Sequence, residues 1–335
     1  TVGGRCATVD FVLGGVLPDS GQTLCYNNTT TIACPAAGAA FYGQDAQFGW
    51  DLYFTPAQRF ERSEPVASRP VVFDHITQLE WQGCAAGVSG ADCATGSAST
   101  MAWDAAVAYC SALDWGGNTD WRLPDVRELS GIIDAGRSGP TINVAAFPGT
   151  PLAPFWSSSS YAGGASNAWY VGFSNGYVSN AGKADTGYVR CVRRGPLDFR
   201  PFESLVLSGD RVVRDTATEL TWQGCAAGQS GDSCATGAAF RRSWQAALAY
   251  CDGLSWGGYD DWRLPDRNEL QSIVDYGRYS PAIDVTAFPA TPVSHFWSSS
   301  SYAGGASNAW VVSFNFGYVG YYGKSGTYYV RCVRR

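Results

Sequence analysis

Two copies of one unit make up most of the chain, and this duplication limits the folds that the chain can adopt. Residues 78–194 align with residues 219–335 at a constant offset of 141, without a gap. Each copy has the size of an ordinary domain, and 335 residues exceed what one hydrophobic core usually serves. We therefore predict tandem domains at 68–196 and 197–335, behind a loop-rich N-terminal region at 1–67 that caps the first repeat.

Composition and charge exclude several functional classes. Hydrophobic residues make up 45% of the chain and aromatic residues 14%, which is typical of packed globular domains. The net charge of −6 provides no basic field for DNA or RNA, so no nucleic-acid partner is expected. No apolar run approaches the roughly 20 residues of a membrane-spanning helix, so no membrane-spanning segment is predicted.

Eleven cysteines indicate an oxidising compartment. Eight of them occupy matched positions of the two repeats, which suits disulfides better than reduced thiols. Cysteines nine residues apart are well placed for local disulfides: Cys25 with Cys34, Cys84 with Cys93, and Cys225 with Cys234. Cys6 is left over. We expect a secreted or cell-surface protein; in one alternative, a segment missing from this chain anchors it.

Local patterns in each repeat predict an α+β unit. The stretch 101–113 predicts an amphipathic helix, and Asp125 followed by Glu128 predicts the capping box of a second helix over 126–134. Short β segments are predicted at 155–158, 168–174, 176–179 and 188–193, with a hairpin turn at Asn175-Gly176. The tryptophans recur at the offset of 141, which favours core positions.

The ends of the two repeats are almost identical. Residues 155–194 and 296–335 differ at only ten matched positions. Constant Trp169, Val171 and Phe173 alternate with residues that change between the repeats, which is the period of a β-strand. We therefore predict a constant core face and a variable recognition face that points outward.

The changing positions and two adjacent tyrosines form the predicted ligand-binding site. They are Tyr170, Gly172, Ser174, Asn175, Tyr177, Ser179, Asn180, Ala181, Ala184, Asp185 and Gly187 in the first repeat, and Val311, Ser313, Asn315, Phe316, Tyr318, Gly320, Tyr321, Tyr322, Ser325, Gly326 and Tyr328 in the second. Tyr, Ser, Gly and Asn are also the residues of antibody paratopes, where they supply rigid contact area and adaptable hydrogen bonds. Neutral drift on a solvated surface is the alternative. If these side chains are exposed, replacing Tyr321, Tyr322 and Tyr328 by Ala leaves the melting temperature nearly unchanged.

Three motifs carry a resemblance to a known family. Trp121-Arg122-Leu123-Pro124 with Glu128, Phe155-Trp156-Ser157-Ser158, and Val189-Arg190-Cys191-Val192-Arg193 all recur at the offset of 141. With them, both repeats resemble a bacterial domain family of unknown function found at the end of the Legionella collagen-like adhesin. That family is similar to formylglycine-generating enzymes and to C-type lectin folds.

The resemblance has consequences for fold and function. It implies two C-type lectin-like domains, in which a helix cysteine pairs with one in the last strand: Cys110 with Cys191, and Cys251 with Cys332. Some members of the family are variable proteins of diversity-generating retroelements, in which adenine-directed mutagenesis rewrites Asn codons. The residue types at the changing positions are those that AAC or AAT codons yield. The resemblance therefore implies a diversified recognition surface.

An enzymatic or metal-dependent function finds little support in the residues. Each repeat cysteine has a structural partner at matched spacing, whereas formylglycine-generating enzymes need a reactive pair. The two histidines, His75 and His295, occupy non-equivalent positions, so a histidine ligand set cannot be assembled. We expect no catalytic residues, no metal ligands and no cofactor, although carboxylates such as Asp120 and Asp134 leave a structural calcium open.

These observations predict a binding protein. Its partner would be a protein or glycan on a host or neighbouring cell, and its oligomeric state is not predicted. Two alternatives stay open, namely an adhesin of fixed specificity whose repeats diverged and, with less support, an enzyme of the formylglycine-generating type.

Overall fold

The computed structural model describes residues 17–48, 56–194 and 202–335. The chain is mostly β-structure with few helices, and it forms two tandem domains. The N-terminal region contributes β1 (Cys25–Tyr26), β2 (Thr31–Ile32) and a short 3-10 helix (Asp45–Gln47). Helix α1 (Pro56–Arg59) then leads into the first repeat.

The two repeats contain matching elements. The first consists of β3 (Phe60–Ser63), β4 (Val71–Asp74), β5 (Glu80–Gln82), β6 (Val88–Ser89), β7 (Thr95–Gly96), β8 (Thr100–Met101), α2 (Trp103–Ser111), α3 (Val126–Gly131), β9 (Pro154–Ser160), β10 (Asn167–Gly172), β11 (Val178–Gly182), β12 (Gly187–Tyr188) and β13 (Val192–Arg193). The second consists of β14 (Phe202–Leu207), β15 (Asp210–Asp215), β16 (Thr221–Gln223), β17 (Gln229–Ser230), β18 (Thr236–Gly237), β19 (Arg241–Arg242), α4 (Trp244–Asp252), α5 (Arg267–Ser272), β20 (His295–Ser301), β21 (Asn308–Ser313), β22 (Val319–Gly323), β23 (Tyr328–Tyr329) and β24 (Val333–Arg334).

Each repeat has a small sheet of its own and shares a large one. The small sheets have the strand orders β13-β5-β4-β3 and β14-β15-β16-β24. Edge strand β3 lies upstream of the boundary predicted near residue 68. The large sheet has ten strands, of which five come from each repeat. Its two halves join where β11 pairs with β22, so the repeats form one continuous sheet.

Local sequence signals explain the helix ends and the disulfides. The predicted capping box is present, because the Asp125 side chain accepts from the Glu128 N–H and the Glu128 side chain accepts from the Asp125 N–H. Helix α3 ends at Gly131, three residues before the predicted end. All five predicted disulfides are present: Cys25–Cys34, Cys84–Cys93, Cys110–Cys191, Cys225–Cys234 and Cys251–Cys332. Cys6 lies outside the described residues.

The N-terminal region divides between the two repeats: residues 17–48 pack mainly on the second, whereas β3 extends the small sheet of the first. The prediction that the region caps the first repeat is therefore wrong for residues 17–48. The Gln22 side chain exchanges two hydrogen bonds with the backbone of Ser301, at 2.6 and 2.8 Å. The contact of residues 17–48 with the first repeat is smaller and includes the Ala135 N–H, which donates to the Ser20 carbonyl at 2.7 Å. The two repeats have nearly identical faces here, and the sequence of the N-terminal region does not indicate which one it covers.

Several disulfides of ordinary geometry are consistent with an extracellular or secreted protein. Within the described ranges, no helix has the length and apolar character needed to cross a membrane.

Candidate ligand-binding site

The two repeats meet at a junction with near-twofold symmetry. Val178 of β11 pairs with Val319 of β22, and these are equivalent positions of the two repeats. A second equivalent pair lies at the helices, where the Ser130 hydroxyl donates to the Gln271 side chain at 2.7 Å. Equivalent positions can face each other in this way only near a local twofold axis. The changing strands therefore lie at the centre of the molecule.

One face of these strands is buried in the junction. Residues directly opposite each other in an antiparallel pair share a face, which puts Trp169 with Asn180 and Trp310 with Tyr321. The Tyr177 ring crosses the junction and stacks on Tyr321 with ring centroids 4.8 Å apart. The symmetry-equivalent Tyr318 crosses in the other direction, and its hydroxyl accepts from the Asn180 amide at 2.8 Å.

Tyr321 is an internal contact between the repeats. Its ring lies between Tyr177 and Tyr302, and the centroid distance to Tyr302 is 3.7 Å. Burial raises the pKa of the Tyr321 hydroxyl. Beside it, the fully buried Arg267 donates to the Gly176 carbonyl at 3.1 Å and lies over the Trp310 ring. Asn180 and Tyr321 therefore contact the other repeat and do not simply point outward, and Tyr321 also lines the cleft described next.

Next to these junction contacts, the same strands line a cleft of about 260 Å³. Its lining comes from both repeats and consists of Tyr170, Tyr177, Val178, Ser179, His295, Val311, Tyr318, Val319, Gly320, Tyr321 and Tyr322. Eight of these eleven residues belong to the predicted site, so the cleft brings together part of that site. Tyrosine rings and hydroxyls dominate its surface, which suits contacts with mixed apolar and polar character.

An aromatic cluster extends the cleft on the second repeat. The rings of His295, Tyr322 and Tyr328 lie 5.2 to 5.7 Å apart. The equivalent positions of the first repeat are Pro154, Ala181 and Gly187, which provide no rings. Burial, with a smaller contribution from the Arg241 charge, lowers the pKa of His295. This wall of the cleft is therefore aromatic and uncharged near neutral pH.

His295 is a site residue that sequence reasoning missed. We predicted no role for either histidine, because His75 and His295 occupy non-equivalent positions. The sequence does contain a signal for His295. The first repeat has Pro154 at the equivalent position, so an aromatic side chain replaces a non-aromatic one at the start of strand β20.

Four predicted site residues are buried: Gly172, Gly187, Val311 and Ser313. Val311 still lines the cleft, whereas the burial of the other three contradicts the outward orientation expected for them. Side chains on the neighbouring strand cover this part of the face. Val311 lies directly opposite Trp297 and Ser313 directly opposite His295. Strand alternation distinguishes two faces, but it does not show how much of each face the next strand covers.

The remaining predicted residues lie at turns beside the cleft. Ser174, Asn175, Asn315 and Phe316 occupy the hairpin turns before β11 and β22, and Ala184, Asp185, Ser325 and Gly326 occupy the loops after those strands. Ala181 is half-buried. Phe316 has 37% of its surface exposed. These residues surround the cleft without lining it.

The carboxylates considered for calcium have other contacts. Glu128 forms a bidentate ion pair with Arg122, at 2.6 and 2.7 Å, and Asp120 accepts from Arg193 at 2.6 Å. Among the residues that the structure describes, no group of three or more His, Cys, Asp or Glu side chains could hold a metal ion.

Comparison with known proteins agrees with the internal duplication. The family model described as the Lcl C-terminal domain matches residues 70–193 and, a second time, residues 211–334. No curated protein matches the chain significantly.

Proposed function

The chain belongs to the Lcl C-terminal domain family, and we propose that its two domains form a single recognition site for a protein or glycan ligand. The main observation in support of this proposal is the cleft at their junction, where both repeats contribute tyrosines to one surface. Tyrosine gives large, rigid contact area at a low cost in conformational entropy, and its hydroxyl donates or accepts hydrogen bonds. The surface is therefore suited to binding.

We further propose that the cleft is the diversified part of the molecule. Tyr170 in the first repeat corresponds to Val311 in the second, and Ser179 corresponds to Gly320, so matched lining positions differ between the repeats. Other changing positions, such as Asn180 and Tyr321, lie in the junction. Mutagenesis at those positions would alter the packing between the repeats and, with it, the shape of the cleft.

Three further properties belong to the proposal. Each repeat has a C-type lectin-like fold, which the helix-to-last-strand disulfides Cys110–Cys191 and Cys251–Cys332 support. The protein acts outside the cytosol, at a cell surface or after secretion. It binds and does not catalyse, and the engagement of the eight repeat cysteines in disulfides favours this over formylglycine-type chemistry.

A ligand screen with cleft variants tests the proposal. The intact protein is screened against immobilised surface proteins and glycans, and each hit is measured again with Tyr170→Ala and Tyr322→Ala. We expect each variant to weaken binding at least about tenfold, as hot-spot tyrosines do, with little change in melting temperature. Phe316→Ala is the matched control, because this exposed ring lies outside the cleft. Loss of binding in the control with none in the cleft variants would contradict the proposal.

The gene's surroundings separate diversification from a fixed-specificity adhesin. A diversified protein requires a near-copy of the terminal coding sequence with adenines at the changing codons, together with a reverse transcriptase. If sequencing of the flanking DNA finds neither, the adhesin alternative holds and the binding site itself is unaffected.

A further inference from the structure

One face of the second repeat is covered by the N-terminal segment, which we define as residues 17–48. The face consists of Trp244, Leu248, Ser300, Ser301 and Lys324, all of which are buried. Trp244 and Leu248 come from α4, Ser300 and Ser301 from β20, and Lys324 follows β22. Within the segment, the Cys25–Cys34 disulfide closes a short loop.

The segment uses specific contacts to hold this face. The Lys324 ammonium donates to the Asn27 carbonyl at 2.9 Å and lies 3.9 Å from the Trp244 ring centroid. The Asp45 carboxylate accepts from the Ser300 hydroxyl. The Phe41 ring packs against Trp244 with centroids 6.4 Å apart. Together with the Gln22 bonds to the Ser301 backbone, these contacts pair the Lys324 ammonium, the Ser300 hydroxyl and the Ser301 peptide groups that the segment covers.

The first repeat carries the equivalent face, and none of the residues that the structure describes covers it as the segment covers the second. Its residues are Trp103, Val107, Ser159, Ser160 and Lys183, which differ from the second repeat only at Val107. The indole N–H of Trp103 donates to a strand carbonyl at 2.8 Å, as that of Trp244 does. The Lys183 ammonium lies 4.1 Å from the Trp103 ring centroid.

Exposure distinguishes the two faces. Val107 has 37% of its surface exposed, whereas the equivalent Leu248 has 1%. Lys183 turns its ammonium to the Ser160 hydroxyl at 2.8 Å, in place of the carbonyl that Asn27 offers to Lys324. The first-repeat face thus retains the tryptophan, the ammonium and the strand edge that hold the segment in the second repeat.

We propose that the face formed by Trp103, Val107, Ser159, Ser160 and Lys183 is a docking site for the N-terminal segment of a second copy of this chain. The segment is the expected occupant because it already binds the equivalent face of the second repeat, and the tryptophan, lysine and serines that it contacts there are identical in the first. Docking between copies would bury Val107 and Trp103 and transfer Lys183 from Ser160 to a backbone carbonyl. It would also uncover Trp244 and Leu248 in the copy that supplies the segment, so the association is a weak exchange of one face for the other.

Only the outer part of the segment can dock in this way. Near the local twofold axis, Asn268 donates to the carbonyls of Pro18 and Asp19, and the equivalent residue of the first repeat is Arg127. Arg127 instead donates to the Val274 carbonyl at 2.5 Å and lies over the Tyr276 ring. That space is filled, so the contact between copies involves residues 22–48.

The two lysines give opposite predictions for self-association of the intact protein. In a concentration series by sedimentation velocity, the wild-type chain should associate reversibly. Lys183→Glu should abolish association, because it places a carboxylate where the segment presents the Asn27 carbonyl. Lys324→Ala should strengthen association, since it loosens the segment from its own second repeat and frees it for another copy. Unchanged folding of both variants is checked by circular dichroism.

Cross-linking identifies the contact. A photo-reactive amino acid at position 107, in a mixture of unlabelled and nitrogen-15-labelled protein, should cross-link to the region around Gly43 of the other copy. Leu248 is the second-repeat equivalent of Val107, and it lies within 4 Å of where a Cβ at Gly43 would be. The same contact between two copies would place Gly43 beside position 107. The same probe at exposed Val144 is the control. A chain that stays monomeric at its highest soluble concentration, or mixed-isotope cross-links outside residues 22–48, would overturn the proposal.

Discussion

Both repeats contain the face in which a tryptophan packs beside a lysine. The face is buried in the second repeat and partly exposed to solvent in the first. Trp244 is completely buried and Lys324 has 1% of its surface exposed, whereas the equivalent Trp103 and Lys183 are only half-buried. The residues are identical, so the difference arises from where the preceding segment crosses. Identity between repeats therefore predicts the geometry of a face without predicting its environment.

The largest predicted effect concerns the cover of the second repeat. Burial, reinforced by the nearby charge of Asp19, raises the pKa of Asp45 from its ordinary 3.8 to about 7. The raised value means that the docked segment prefers the protonated carboxyl. Docking is therefore strongest below pH 4 and weakens as the pH rises towards 7, by about tenfold in the opening equilibrium for each pH unit.

Amide exchange measures this opening. The Ser301 N–H donates to Gln22 at 2.8 Å, so its exchange, corrected for the intrinsic rate, should speed up with pH in this window. Asp45→Asn should reduce the slope by one proton. The charges of Asp266, Glu269 and Arg263 also act on Asp45, and these three residues are unchanged in the variant. Ser160, in the uncovered face, is the internal control, and an equal slope there would mean that the cover is not what titrates.

A second prediction compares the two faces of the variable strands. Tyr321→Ala should cost about 2–3 kcal/mol in the free energy of unfolding, because it removes a ring stacked between Tyr302 and Tyr177. Tyr322 has 44% of its surface exposed, so Tyr322→Ala should cost less than about 1 kcal/mol. This revises the sequence-based expectation that both tyrosines are replaceable. Urea unfolding measures both, and equal losses would contradict the assignment of the faces.

Asn180→Ala tests whether the two symmetry-related sides of the junction contribute equally to the free energy of unfolding. Asn180 is the first-repeat equivalent of Tyr321, and its amide donates to the Tyr318 hydroxyl at 2.8 Å. Its side-chain carbonyl also accepts from the Asn167 amide at 3.0 Å. Removing these two neutral hydrogen bonds should cost about 1–2 kcal/mol, which is less than the loss of the stacked ring. Urea unfolding again supplies the measurement. A loss as large as that of Tyr321→Ala would show that the two sides of the junction contribute equally.

Much of each repeat could be predicted because its signals are local or carried by spacing. The Asp125–Glu128 capping box needs only four consecutive residues, and the β10–β11 hairpin turn at Asn175-Gly176 needs two. The family resemblance supplied the long-range disulfides, including Cys110–Cys191. Such features depend on one copy of the unit, so reading one repeat was sufficient.

The junction could not be predicted in this way. Alternation along residues 169–174 separates two faces, but the pairing of Val178 with Val319 depends on how one repeat docks on the other. The buried Arg267 gave no signal either, because an arginine at a helix start usually faces solvent. Many of the predicted residues therefore lie along the strands that line the cleft, but alternation alone did not indicate which of their side chains are buried or contact the other repeat.

The smallest predicted effect distinguishes the two ends of the cleft. Burial is the main cause of the lowered pKa of His295, and the Arg241 charge is a smaller one. Arg241→Ala should therefore raise the pKa of His295 part of the way towards its ordinary 6.5, with burial still holding it below that value. A titration of the His295 imidazole C–H signals by NMR, in the wild-type protein and in the variant, measures this. A His295 that titrates identically in both proteins would remove Arg241 from the cleft's electrostatics. The first repeat has Thr100 and Pro154 at the equivalent positions, so such tuning exists only at the second-repeat end, and a ligand that senses it must approach that end of the cleft.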